Sequence, residues 1–145
     1  MDMHSRGPLH FSVLLFVVSA CHTGQLRNTT LAAAGAPREI RRTLLSQQDV
    51  PDLPGWEIRT FLVEYPPGAT APRHVHPALG VAYVLEGRCE SAFEGEAPMI
   101  TKQGGAFVEK EGPVHILFRN PDLEHPLRFL IAYTIRKGDQ PVRVL

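Results

Sequence analysis

Short apolar segments, each closed by glycine or proline, most constrain what this chain can fold into. Thirteen prolines and twelve glycines punctuate 145 residues. From Trp56 onward no run of helical period is long enough for a helix to bury a face. "WEIRTFLVEY" alternates in part, with Ile58, Thr60, Leu62 and Glu64 on one parity and Arg59, Phe61, Val63 and Tyr65 on the other. "VAYVLEGR", "CESAFEG", "GGAFVEKEG" and "VHILFRN" repeat a strand-turn rhythm. "LRFLIAYTI", Leu127 to Ile135, is the longest apolar run and reads as a fully buried strand. Many short strands with turn signals between them predict an all-β sandwich or barrel.

The part before Trp56 differs. "FSVLLFVVSA", Phe11 to Ala20, carries no charge and is too short to span a bilayer, which takes about 20 residues. It suits the apolar core of a secretory signal, residues 1–20. "VSAC" looks like a bacterial lipobox, with Cys21 as the lipid acceptor; Val18 and Ala20 also fit plain signal cleavage. The expected location is therefore exported: a lipoprotein anchored at the membrane and facing the periplasm, or a secreted protein if Cys21 stays free. Residues 21–40 are small and polar and read as a tether, and residues 41–145 as the domain, with an edge strand around Arg42–Ser46. With Cys21 acylated no internal disulfide can form, and Cys89 reads as a small buried strand residue. The formal net charge is zero, so nothing electrostatic calls for a nucleic-acid partner.

His74 and His76 stand two residues apart. On a strand both imidazoles point to one side, about 7 Å apart along the backbone. His115 sits between Val114 and Ile116 in another strand. If it faces a cavity beside the pair, it becomes a third ligand. Imidazole suits zinc, copper, iron and nickel. His125, in "DLEHPL", reads as an exposed loop residue. Glu109 and Glu111 read as solvated residues flanking a turn, and Glu86 as a turn residue. Arg73 reads as a surface arginine, or as one at a pocket mouth that attracts an anion.

The spacing of these residues resembles the two motifs of the cupin family. Gly68, His74, His76 and Gly87 hold the first, with Gly80 where the family has glutamate. Gly104, Gly112 and His115 hold the second, with Lys110 in place of proline and Arg119 in place of asparagine. The likeness covers about Trp56 to Ile135. It implies a single cupin jelly-roll barrel (a double-stranded β-helix) with His74, His76 and His115 facing its interior. It also implies a divalent transition metal (Fe, Mn, Ni, Cu or Zn), a small-molecule ligand and a homodimer. Three-histidine members include thiol dioxygenases and diketone-cleaving enzymes, so the resemblance extends to non-heme iron oxygenase chemistry. The alternative is a non-catalytic cupin of the cell envelope that binds a sugar or a carboxylate.

Overall fold

The computed structural model describes residues 38–145. The expected signal, the expected lipid acceptor Cys21 and most of the expected tether lie outside them. Ten strands follow one another: β1 Arg41–Asp49, β2 Trp56–Tyr65, β3 His74–Val75, β4 Gly80–Glu86, β5 Arg88–Phe93, β6 Met99–Lys102, β7 Ala106–Glu109, β8 His115–Arg119, β9 Leu127–Arg136 and β10 Arg143–Val144. They form two five-stranded sheets, ordered β1-β2-β9-β4-β7 and β10-β3-β8-β5-β6. Every pairing between named strands is antiparallel. This is the all-β jelly roll that the punctuated pattern predicts.

The core lies between the sheets. In β2 the parity of Phe61, Val63 and Tyr65 is buried, as period-two alternation requires. β4 and β9 add Ala82, Val84, Leu127, Phe129, Ile131, Tyr133 and Ile135. Phe118 of β8 meets Phe129 at 5.5 Å and Tyr65 at 5.2 Å between ring centroids, which joins the sheets. Tilted and edge-on contacts of this kind suit the ring quadrupoles. Cys89 is fully buried, and burial pushes its thiol up to about 11.

β9 is not buried on both faces. Its residues alternate, with Leu130 and Ala132 half-buried on the outside. The reason is its place: β2 and β4 flank it in the plane of the sheet, and among the described residues nothing packs over its outer face.

Turns fix the register. Gly87 joins β4 to β5 with φ of 77°, and a Cβ there would stand 2.4 Å from the Pro126 carbonyl oxygen, so only glycine fits. Arg119 occupies the motif's asparagine position, and its neighbour Asn120 does the stapling instead. Asn120 is buried and donates from Nδ2 to the carbonyls of Pro66 (3.1 Å) and His125 (2.8 Å).

Candidate metal centre

Three strands or strand ends of the two motif regions converge. β3 is only two residues long, yet it pairs with β8 so that His74 stands opposite His115. His76, just past β3, makes a bridge to Glu111. All three histidines are buried, and their ligand atoms lie within 4.8 Å of one another. Phe93 stacks on the His115 ring at 4.2 Å and Phe118 meets it edge-on, which closes that side to water.

Backbone carbonyls decide which nitrogens face inward. A carbonyl only accepts, so a ring nitrogen bonded to one must carry the proton. His74 donates Nδ1–H to the Pro72 carbonyl at 2.7 Å, and His76 donates Nδ1–H to the Pro141 carbonyl at 2.9 Å. In the neutral rings both Nε2 atoms then present lone pairs, and these stand 3.1 Å apart. The Ser91 hydroxyl, 2.8 Å from His115 Nε2, can accept a hydrogen bond from Nε2–H and leave Nδ1 with its lone pair free. Such outer partners orient metal-binding histidines. Burial holds the His74 imidazole below its ordinary range, against the opposing pull of the Pro72 carbonyl, so it stays neutral and available as a ligand.

Glu109 also enters the site, which corrects its reading as a solvated turn residue. It is 4% exposed, and its Oε2 lies 3.0 Å from both His76 Nε2 and His115 Nδ1. Oε2 and His115 Nδ1 are nevertheless left without an aligned hydrogen bond. Burial disfavours the ionised carboxyl, but hydrogens donated by His115 and His76 would outweigh it and hold Glu109 down at about 2. Unprotonated nitrogens beside a carboxylate repel it; a cation among them reverses the sign. Donors about 2.1 Å from one ion and at right angles stand about 3.0 Å apart, so these spacings suit a bound divalent metal.

The other polar candidates fall elsewhere. The His125 side chain is 71% exposed, next to Asp122 and away from the cluster. Arg73 is exposed and 3.4 Å from Glu94. Glu86 closes β4 beside Arg128, at 3.2 Å. The cation that does approach the centre is Arg42 of β1. It lines, with Tyr65, Ala71, Pro72 and Val142, a recess of about 280 Å³ that reaches His74. It also lines a second recess, of about 460 Å³, that reaches Pro141 behind His76. Its guanidinium lies 5.6 Å from the Phe61 ring, and no described carboxylate pairs with it. Spacing offered no signal for Arg42, because β1 is distant in sequence from both motifs.

A family model described as "Cupin domain" matches residues 61–133, half of the chain. The chain belongs to the cupin family. A search of curated proteins returns no match. Among solved structures this cupin is similar to the DMSP lyase DddQ from Ruegeria pomeroyi DSS-3, with 22% identity, a TM-score of 0.59, 73% of this chain covered and 51% of that one. The chain thus spans about half the length of that lyase. It is also similar to the polyketide cyclase RemF from Streptomyces resistomycificus, with 23% identity, a TM-score of 0.55 and 78% and 77% of the two chains covered. An uncharacterised double-stranded β-helix protein from Klebsiella pneumoniae gives 19% identity, a TM-score of 0.57 and coverage of 73% and 85%. These likenesses establish the fold of this cupin, with its three buried histidines able to hold a metal ion.

Proposed function

We propose that this cupin is an exported metalloenzyme acting on a small carboxylate. The observation that carries this reading is the inward convergence of His74, His76 and His115, two of them fixed by backbone carbonyls with lone pairs toward one point. His74, His76 and His115 would hold the metal, and iron(II) there would supply non-heme oxygenase chemistry. The chain's own residues bind and orient. Arg42, among the described residues the one Lys or Arg lining the recess at His74, pairs with a substrate carboxylate, while Ile40, Val142 and Val144 take a short apolar body. Burial pushes the hydroxyls of Tyr65 and Tyr133 above the ordinary phenol range, so both stay protonated hydrogen-bond donors. Tyr133 Oη stands 3.5 Å from His76 Nδ1, and Tyr65 lines the recess itself.

The test begins with the protein purified from its exported compartment, because the affinity order of nitrogen sites favours copper and nickel over iron in other hands. Metal analysis should give one ion per chain. Iron-loaded protein offered a panel of small carboxylates should consume dioxygen, and Arg42→Ala should raise KM about 10- to 100-fold, the worth of a charge-assisted hydrogen bond. Two fold neighbours are named for lyase and cyclase reactions, so the panel has an anaerobic arm; turnover there replaces the oxygenase reading. Tight carboxylate or sugar binding by metal-free protein, without turnover in either arm, makes this a binding cupin instead.

The outer face of the first sheet supports a homodimer. Val81 stands between Val108 and Ala132, and Tyr83 between Ala106 and Leu130, in register across β7, β4 and β9. Val81, Tyr83 and Val108 are each about half exposed, at 54%, 49% and 44%. An apolar row of this kind suits a second copy of itself, since a two-fold axis pairs like with like. Sedimentation should give twice the chain mass, and Tyr83→Asp should give monomers. A wild-type monomer at micromolar concentration rules the dimer out.

A further inference from the structure

Gly80 occupies the place where the cupin motif has glutamate, and a buried carboxylate, that of Glu109, lies on the neighbouring strand. Gly80 is paired in register with Glu109 of β7 on one side and with Tyr133 of β9 on the other. Directly opposite residues of antiparallel strands put their side chains on one face. Tyr133, Gly80 and Glu109 therefore form a row across β9, β4 and β7, all on the inner face. The Tyr133 ring lies over the glycine: a Cβ at position 80 would stand 2.5 Å from its Cε1 and 2.8 Å from its Cδ1. A side chain from position 80 has no room, whereas Glu109 reaches the histidines directly.

We propose that Glu109 is the fourth metal ligand of this cupin, a carboxylate moved one strand over from its place in the family motif. The inference rests on the three-histidine reading above and adds a donor to it. Its Oε2 is 3.0 Å from two histidine nitrogens, buried, and unmatched by any aligned hydrogen bond. A buried carboxylate with no aligned partner is costly, and an ion shared with three imidazoles removes that cost. With Glu109 bound, the net charge on a divalent centre falls to one, and an oxygen donor shifts its preference toward harder ions such as manganese or iron(II).

Glu109→Gln keeps the size of the side chain and removes its charge. Partners beyond the ligand shell already change metal affinity about 10- to 100-fold, so loss of a ligand should weaken Mn(II) or Zn(II) binding by at least that much. Cu(II)-loaded variant and wild type should also differ in the parallel hyperfine splitting of their electron paramagnetic resonance spectra, since an anionic oxygen donor is replaced by a neutral amide. Equal affinity and an unchanged spectrum overturn the proposal and leave the three-histidine site standing. A wild type that binds no metal overturns both. Should Glu109→Gln fail to fold, a zinc-loaded crystal structure of the wild type decides. A Glu109 oxygen about 2.0–2.2 Å from the ion supports ligation, and one beyond about 3 Å overturns it.

Discussion

His76→Ala should weaken metal binding on the order of 100-fold and remove most of the metal's effect on the melting temperature. His76 offers Nε2 to the centre of the cluster, 3.1 Å from His74 Nε2 and 3.0 Å from Glu109 Oε2, so its loss removes a donor close to both. Apparent binding energies of structural zinc sites run to about 10–16 kcal/mol. One donor's share is then about 3 kcal/mol, which weakens binding on the order of 100-fold. A ligand present at about 1,000 times its dissociation constant stabilises the fold by about 4 kcal/mol. Wild-type protein should therefore melt several degrees higher with metal than after chelation, and at the same metal concentration His76→Ala should keep only about a third of that shift. Its metal-free melting temperature should also fall, because the buried His76 ring stacks on Tyr133 at 6.0 Å and its removal leaves a hole. His125→Ala serves as the control: an exposed imidazole beside Asp122 should leave loading and melting unchanged. Equal metal affinity in His76→Ala and wild type would falsify the site.

The strands and the histidine triad were legible because both depend on local pattern. Alternation in β2, the His-x-His pair and a histidine inside the apolar β8 each carry their meaning within a few residues. Glu109 was misread for a local reason. "EKEG" has the composition of a turn, yet the bend begins only after Glu109. The signal lay one step back, since in "AFVE" Glu109 shares the parity of Phe107 and both are buried. What no local reading could supply is the pairing of Gly80 with Glu109 and Tyr133, because register between strands far apart in sequence is set by the fold as a whole. The same limit applies to β9. Its apolar run, Phe129 to Tyr133, is compatible with burial on both faces or with one face left for a partner, and only its place among β2 and β4 separates them. Arg42 belongs to this class too: an edge strand distant from both motifs brings a cation to the recess at His74.

Restoring the family's glutamate at position 80 should damage this cupin. Gly80 has no left-handed backbone angle, so its conformation suits any residue; space alone forbids a side chain there. Its Cβ would meet the Tyr133 ring at 2.5 Å and Ile131 Cδ1 at 3.0 Å. Both residues are 1% exposed, and a packed ring cannot swing aside as a surface side chain can. Overpacking of this kind costs about 1–3 kcal/mol, and a second buried carboxylate near Glu109 adds repulsion between like charges. For a domain of about 100 residues the melting temperature should fall on the order of 10 °C. Gly80→Ala should show the steric part alone, with a smaller fall and metal binding retained. Adding Tyr133→Ala to Gly80→Glu should relieve the overlap and recover part of the loss. The opposite result, Gly80→Glu melting like wild type and binding metal more tightly, would mean that position 80 still opens onto the ion and that the Tyr133 ring does not hold the carboxylate's place.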